Sequence, residues 1–276
     1  MRAAVVGHVE WVRFAAVERL PEPGEIITAS ATWEEPAGGG AVAAGQLRNL
    51  VGEVDFFLAV GNDELGRRTR ERLEQLGFRV HASTREQPQR RAFTFVDAAG
   101  ERTITLLGEK LHPHGADPLP WDELAKIDAV YFSAGDVGAL RAARQARVLV
   151  ATARELPTLL EAQVPLDALV RSERDPAEPY EPGQLDPPPA LIVSTLGRAG
   201  GTYVAGERSG SYSAAEVPGP VVNAYGAGDC FAAGLAFALA RGDEIEPALA
   251  FAAKCGAAAM TGRGAYEGQL RLSEDC

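Results

Sequence analysis

The chain has 276 residues, 46% of them hydrophobic, which is enough to bury a sizeable core. Its 38 acidic residues outnumber the 27 basic ones, giving a net charge of −11 without a basic cluster, so nucleic acid and anionic membranes are poor partners. The N-terminus does not resemble a signal peptide, and no apolar run approaches the roughly 18 residues of a membrane span. We therefore expect a cytoplasmic protein.

The cysteines argue against a disulfide framework. Cys230, Cys255 and Cys276 are odd in number and form no C-x-x-C pair. The first two have apolar neighbours, so we expect them to be small buried residues in a reducing compartment.

Strands and helices alternate in the first half of the chain, with two interruptions. Ala3–Val6 is a continuous apolar run ending at Gly7, typical of a strand buried on both faces. The interruptions, at about residues 11–33 and 91–107, have extended segments without a helix between them and predict a small antiparallel β-lid. The other elements predicted here are a helix at 41–51, a strand at 55–60 and a helix at 64–76.

Alternation resumes at Ala129. The proline-rich stretch from Ser172 to Pro189 is predicted to be a surface loop, because a strand-like segment follows it at once. The elements predicted in this half are strands at 129–133, 148–151, 169–170 and 191–195, helices at 137–145 and 153–162, antiparallel pieces at 203–205 and 211–214, and a final helix at 246–261.

This order of elements predicts an α/β fold: a mostly parallel central sheet with helices on both faces, plus the β-lid, in one domain spanning residues 1–276. Ligands of open α/β sheets bind at the carboxyl ends of the strands. Glycine turns at 38–40, 197–201 and 226–228 follow strand-like segments. Turns of this kind can face one cleft, which favours a phosphate-bearing ligand.

The segment Gly226–Asp229 combines a glycine-rich turn with an acidic residue at the start of a helix. The first amides of a helix lack intrahelical acceptors and attract anions. A carboxylate repels phosphate, so Asp229 makes chemical sense there as a group that handles a proton. The alternative is that Asp229 simply caps the helix after a turn.

Taken together, seven segments resemble the ribokinase-like (PfkB) carbohydrate and nucleoside kinases nearly end to end. The segment at 226–229 belongs to the second glycine signature of that family, and the segment at 36–40 resembles the first. The matching segments are Arg19–Glu25, Pro36–Gly40, Val60–Gly66, Gly100–Thr103, Thr195–Gly201, Asn223–Gly234 and Gly262–Ala265.

The resemblance implies ATP-dependent phosphoryl transfer to a hydroxyl of a sugar, a sugar-like alcohol or a nucleoside. Asp229 would be the general base, and the amides of Gly226, Ala227 and Gly228 would form an anion hole. Thr195, Gly197, Gly200 and Asn223 would bind ATP. Gly38, Gly39, Gly40 and Glu10 would bind the acceptor. Mg²⁺ would bridge phosphate oxygens, with Asp175 reaching it through water.

Several positions depart from the family pattern. Asn223 and Ala224 stand where Asp and Thr are usual, and Ser172 and Asp175 replace the ends of an N-x-x-E segment. Val12 occupies the position of a sugar-binding Asp, and Ala43 that of an Asn. The Gly226–Asp229 turn and the loop at Thr195 are retained, while the acceptor half is altered.

These departures leave a second function class open: a ligand-binding or regulatory protein on the same fold with impaired catalysis. A dinucleotide-dependent oxidoreductase is rejected, because Gly7 is not followed by G-x-G-x-x-G spacing, and an ordinary P-loop kinase is rejected for lack of G-x-x-x-x-G-K-[ST]. The exposed edges of a small β-lid also predict a homodimer formed through it.

Overall fold

The computed structural model describes residues 1–272. Its helices are α1 (Gly39–Val51), α2 (Glu64–Gln75), α3 (Val137–Ala143), α4 (Leu156–Ala162), α5 (Ala227–Arg241) and α6 (Ile245–Ala259). Its strands are β1 (Ala3–Val6), β2 (Glu10–Ala16), β3 (Ala31–Ala37), β4 (Val54–Gly61), β5 (Arg79–Arg85), β6 (Arg91–Val96), β7 (Arg102–Leu107), β8 (Ala129–Phe132), β9 (Val148–Thr152), β10 (Ala168–Ser172), β11 (Ile192–Thr195), β12 (Gly201–Ala205) and β13 (Arg208–Tyr212).

Within residues 1–272, the main sheet has nine strands in the order β13-β12-β11-β10-β9-β8-β1-β4-β5. The pairings from β5 to β11 are all parallel, whereas β11–β12 and β12–β13 are antiparallel. The predicted mostly parallel sheet is therefore confirmed. The short antiparallel segments predicted near residues 203 and 211 are the two strands that extend one edge.

Helices cover both faces of this sheet. Successive side chains of a strand point to opposite faces, so Val5 of β1 packs into one apolar cluster and Val6 into the other. The first cluster contains the buried faces of α1, α5 and α6, and the second those of α3 and α4. Burial on both faces explains why the central strands are uniformly apolar in sequence.

The lid is a separate four-stranded sheet in the order β3-β2-β6-β7. Its two outer pairings, β2–β3 and β6–β7, are antiparallel, as the sequence predicted. A parallel pairing of β2 with β6 joins these hairpins. Strand β2 begins only a few residues after β1 ends, and its Trp11 pairs with Arg91 at the start of β6. The lid strands therefore start beside the loop that follows β1.

Several predicted boundaries differ from the structure. Strand β5 was missed, because it is a polar edge strand without an apolar run. The segment predicted as extended from Ile26 becomes a strand only at Ala31, and Ile26 itself is exposed. The helix predicted at 153–162 begins as a 3₁₀ turn, Ala153–Glu155, and continues as α4. The single-domain assignment stays a prediction.

Cys230 and Cys255 are buried and unbridged, as expected, and Cys276 lies outside the described residues. Within residues 1–272, every helix is too short or too polar to cross a membrane.

Candidate active site

Loops that could form a ligand site leave the main sheet together. Parallel strands share their carboxyl ends, so the residues that follow β1, β8, β9, β10 and β11 lie along the same edge. His8, Ser133, Arg154, Asp175 and Gly197 are on these loops. Helix α5 begins in this region, because its residues pack against β8, β9 and β10.

The turn before α5 requires glycine at its first position. Gly226 has φ of +76°, a backbone conformation that other residues adopt at a cost. A β-carbon on Gly226 would also lie 2.6 Å from Cγ1 of Val42 in α1. At Gly228, in contrast, a β-carbon would meet no atom within 4 Å. The start of α5 is thus packed tightly on one side and open on the other.

Asp229, in the first turn of α5, lies in a mixed electrostatic environment. Burial raises the pKa of Asp229, while the positive charges of Arg154 and Arg102 act in the opposite direction. The hydroxyl of Tyr131 donates a hydrogen bond to Oδ1 of Asp229, at 3.4 Å. This carboxyl group therefore holds a proton more tightly than an ordinary aspartate, and nearby cations keep the anionic form accessible.

The first glycine cluster touches Asp229. A β-carbon on Gly39 would lie 2.7 Å from Oδ1 of Asp229, so glycine leaves room for this carboxylate. A β-carbon on Gly38 would lie 3.3 Å from Cγ of Glu10, and one on Gly40 would lie only 2.6 Å from the carbonyl oxygen of His8. The structure thus brings the predicted acceptor-binding residues and the predicted base into one small space.

Glu10 is the charged residue among those predicted to bind the phosphoryl acceptor. Its Oε1 lies 3.2 Å from Nη1 of Arg90, and both side chains are largely buried. Burial raises the pKa of Glu10, although Arg90 and Lys110 favour its charged form. This ion pair sets a negative and a positive group side by side next to the first glycine cluster.

His8 adds a neutral group beside Glu10, with 3.9 Å between its Nε2 and Oε1 of Glu10. Burial, with the charges of Lys110 and Arg90, lowers the pKa of His8 to about 3, so the imidazole is uncharged near neutral pH. Its buried Nδ1 has no hydrogen-bond partner within residues 1–272. Such an orphaned nitrogen can bond to a ligand hydroxyl.

The two altered acceptor positions are unavailable to a ligand. Val12 of lid strand β2 and Ala43 of α1 are both fully buried in the same apolar cluster. Their side chains cannot replace the polar groups that the family pattern places there. The polar side chains found near the first glycine cluster are instead those of Glu10, His8 and Arg90.

The predicted ATP loop lies at the end of β11. Thr195 closes that strand, and its hydroxyl donates to the carbonyl oxygen of Arg171 at 3.3 Å. Gly197 and Gly200 both have positive φ, and a β-carbon on Gly200 would lie 2.0 Å from the carbonyl oxygen of Tyr212. Glycine at position 200 thus has a structural reason, and ATP binding by this loop stays a prediction.

Asn223 braces the loop before α5. It is buried, its Nδ2 donates to the carbonyl oxygen of Arg263 at 3.0 Å, and its Oδ1 accepts from the amide of Tyr225 at 2.9 Å. The Tyr225 hydroxyl in turn accepts from the amide of Gly38 at 2.9 Å. Asn223 therefore ties the α5 loop to the segment after α6, and its predicted contact with ATP stays a prediction.

Replacing Asn223 with aspartate is expected to destabilise the protein. The carboxylate would lose the amide donor and place a negative charge against the Arg263 carbonyl, at a cost of about 1–3 kcal/mol or more. Urea unfolding followed by circular dichroism measures this loss. Asn62→Asp, at an exposed position, is the matched control and is expected to leave stability within about 0.5 kcal/mol of the parent. Equal effects of the two substitutions would contradict the bracing role.

Asp175, the predicted metal-linked residue, is bonded to protein groups. Its Oδ2 pairs with the guanidinium of Arg154, and its Oδ1 accepts from the amide of Ala177 at 2.9 Å. The neighbouring Glu178 pairs with Arg154 through Oε1 at 3.1 Å, while its Oε2 accepts from the amide of Ser172 at 2.7 Å.

This arrangement does not fit a metal ion held by these acids. Mg²⁺ requires open, negatively charged oxygens, whereas both carboxylates are engaged by one guanidinium and by backbone amides. Residues 1–272 also contain no group of three potential metal ligands. The water-mediated role of Asp175 therefore stays a prediction without a ligand set to support it.

Sequence reasoning missed three residues of the site: Tyr131, Arg154 and Glu178. Tyr131 looks like part of an apolar strand, and Glu178 lies among prolines in a surface loop. One signal was available for Arg154, because a charged residue directly after a predicted parallel strand belongs to the ligand-binding edge.

The chain matches one family model and several solved structures. The model described as pfkB family carbohydrate kinase matches residues 2–179 and 137–271. Similar structures include ribokinase from Thermotoga maritima (TM-score 0.74, 21% identity) and ribokinase from Arabidopsis thaliana complexed with ribose and ATP (TM-score 0.73, 21% identity). Each covers 98% of this chain and 96% of the other.

Adenosine kinase from Sinorhizobium meliloti is also similar, with a TM-score of 0.73, 19% identity, and coverage of 95% of this chain and 94% of the other. At these identities the structural matches establish the fold. A search of curated proteins gave no significant match. The family model spans nearly all of the described residues, and the chain therefore belongs to the pfkB family of carbohydrate kinases.

Proposed function

We propose that this protein transfers the terminal phosphoryl group of ATP to a hydroxyl of a sugar, a sugar-like alcohol or a nucleoside. The observation that carries the proposal is the convergence of Asp229, Gly39 and Glu10 at the start of α5. In support of the proposal, Asp229 lies in the first turn of a helix, a position suited to phosphate, and a β-carbon on Gly39 would touch its carboxylate. Among the similar structures, one ribokinase is complexed with ribose and ATP, and another similar protein is an adenosine kinase.

Asp229 is the general base in this proposal. Its carboxylate accepts the proton of the acceptor hydroxyl as that oxygen attacks the terminal phosphorus of ATP. Tyr131 orients the carboxylate through its hydroxyl. A base whose pKa is raised toward neutrality is a more effective proton acceptor than an ordinary aspartate.

The amides of Gly226, Ala227 and Gly228 stabilise the transferring phosphoryl group. Phosphoryl transfer depends mainly on positioning and on charge stabilisation, for which preorganised N–H donors at a helix start are suited. The open space beside Gly228 is where a ligand can approach these amides. Thr195, Gly197 and Gly200 would hold the rest of the nucleotide.

The acceptor lies against Gly38–Gly40 in this proposal. Glu10 would accept hydrogen bonds from its hydroxyls, Arg90 would donate, and His8 would offer its free nitrogen. Charged and neutral hydrogen-bonding groups so close together suit a ligand with several hydroxyl groups.

A panel of sugars, sugar alcohols and nucleosides, assayed for ADP formation from ATP and magnesium salt, tests the function. Turnover of at least one acceptor is expected. If ATP binds by calorimetry while every acceptor fails, the binding-protein alternative is favoured, in agreement with the altered Ser172, Asp175 and Asn223.

On acidification, the activity is expected to be lost at a higher pH than it would be if the general base had the pKa of an ordinary aspartate. The raised pKa of Asp229 means that the base becomes protonated, and inactive, while the pH is still above the usual range for this residue. The pH dependence of kcat/KM measures this limb. Because the pKa of Glu10 is also raised, Glu10→Gln is the control, and it should keep the acid limb. A limb that disappears in Glu10→Gln contradicts the assignment to Asp229.

We also propose that the protein dimerises through the lid. Strand β7 is an edge of the lid sheet and exposes Ile104, Leu106 and Leu107. Light scattering is expected to give the mass of a dimer. Leu106→Glu, at a side chain that is 50% exposed, should shift the mass to a monomer, whereas Leu160→Glu, at 42% exposure on α4, should not. A monomeric parent at all working concentrations would end the proposal.

A further inference from the structure

Arg154 projects from the carboxyl end of β9 into the candidate site. It lies in the 3₁₀ turn Ala153–Glu155, and its amide donates to the hydroxyl of Thr152, the last residue of β9, at 3.2 Å. This bond fixes the backbone at the strand end. The side chain is therefore presented from a rigid element.

The guanidinium is held on one side only. Its Nη2 pairs with Asp175 and, at 3.1 Å, with Glu178. Within residues 1–272, Nε and Nη1 donate no hydrogen bond, and the side chain is 44% exposed. A planar guanidinium fixed at one edge has its other N–H groups oriented for a second anion.

The charge of Arg154 acts on the reacting groups. It is the largest opposing influence on the raised pKa of Asp229, and it also affects His8 and Glu10. The geometry agrees with this influence: β9, which Arg154 follows, pairs in parallel with β8, whose Tyr131 donates to Asp229, so Arg154 and the base belong to neighbouring strand ends at the same edge of the sheet. Asp175 and Glu178, which pair with Arg154, lie in the segment after β10 whose carboxylates are not open to a metal ion.

We propose that Arg154 is a catalytic residue, whose free N–H groups contact the terminal phosphoryl group of ATP when the nucleotide binds and during the transfer. This inference rests on the proposed function. The acceptor oxygen forms its bond to the terminal phosphorus as its proton moves to Asp229. The bond from that phosphorus to the bridging oxygen breaks, and the electron pair leaves on ADP.

Negative charge on the phosphoryl oxygens lies between Arg154 and the amides of Gly226–Gly228 during this step. A guanidinium matches these oxygens in geometry as well as in charge. Asp175 and Glu178 hold Arg154 in place, and the chain thereby supplies its own cation where the family pattern has a metal-linked segment.

Arg154→Ala is expected to lower kcat by about 10²–10³-fold, as when one preorganised donor is removed. Arg147→Ala is the matched control. Arg147 precedes the same strand β9, pairs with Asp128 at 2.9 Å and is 54% exposed, but it lies at the opposite edge of the sheet. This control should keep the parent kcat. Parent-like turnover of Arg154→Ala would overturn the inference while leaving the proposed function intact.

Two further readouts separate a chemical role from a structural one. Guanidinium ion added to Arg154→Ala should restore part of kcat, and it should have no such effect on Arg147→Ala. The acid limb of kcat/KM should move to higher pH in Arg154→Ala, because Asp229 loses a stabilising positive charge. If neither change occurs in a variant with a parent-like circular dichroism spectrum and melting temperature, the role is structural and the inference fails.

The affinity for ATP tests the role of Arg154 even if no acceptor is turned over. Calorimetry should show that Arg154→Ala binds ATP about tenfold more weakly than the parent, the loss expected for one charged hydrogen bond. AMP, which lacks the transferred group, should bind equally to both. Arg154→Lys keeps the charge and its pairing with the acids, and it should fall between parent and alanine variant. Equal ATP affinities would overturn the inference.

Discussion

Asp229→Asn is expected to lower kcat by about 10²–10⁴-fold, the usual contribution of a positioned general base. The amide keeps the size of the side chain and can still accept from Tyr131, but it cannot take up the hydroxyl proton of the acceptor. KM for ATP should change little, because the helix amides remain. The measurement is steady-state kinetics with the best acceptor from the panel.

Asp243→Asn is the matched control for this substitution. Asp243 follows the same helix α5 at its other end, where it pairs with Arg241. Its replacement should leave turnover unchanged. Since burial raises the pKa of Asp229 in the folded protein, ionisation of that residue costs stability as the pH rises through the raised pKa. Asp229→Asn should therefore be at least as stable as the parent at neutral pH. Full activity of Asp229→Asn would exclude a base role for Asp229.

Gly226→Ala and Gly228→Ala should have opposite effects on stability. Alanine at position 226 adopts an unfavourable φ of +76° and meets Val42 at 2.6 Å, which together cost about 2–4 kcal/mol. Position 228 lies within helix α5, and the methyl group of an alanine there would meet no other atom within 4 Å. Because alanine favours the helix more than glycine does, the free energy of unfolding should be unchanged or slightly higher.

Gly228→Ala should nevertheless reduce activity. The added methyl group enters the space where a phosphoryl group would approach the amides, and a misplacement of about 1 Å can cost about 10²-fold in rate. Chemical unfolding and steady-state kinetics of both variants measure the two effects separately. Stable and fully active Gly228→Ala would show that the phosphoryl group does not lie beside this turn.

The sequence predicted the parallel sheet because its signals are local. Central strands such as β1 and β8 are continuous apolar runs, and each is separated from the next by helical patterns or turn residues. Edge strand β5 has no such run, so it could not be recognised. The parallel pairing of β2 with β6 joins segments far apart in the chain, and neither segment specifies its partner.

The turn Gly226–Asp229 could also be predicted from a short stretch of sequence. A glycine that must adopt positive φ and an acidic residue at a helix start are properties of a short segment, and the structure has both. The polar groups around that turn could not be predicted in this way, because the residues that contact one another are far apart in the sequence. Tyr131 is 98 residues from Asp229 in sequence, and Arg154 is 21 residues from Asp175.

The sequence by itself thus determined the parallel centre of the sheet, the lid segments, the family and the position of the glycine turn before α5. Only the tertiary structure decided that His8 and Arg90 both lie beside Glu10, and that Arg154 is held by Asp175 and Glu178. The reason is physical. Apolar periodicity and backbone conformation are set within a few residues, whereas pairing between charges depends on which strand ends the fold makes neighbours.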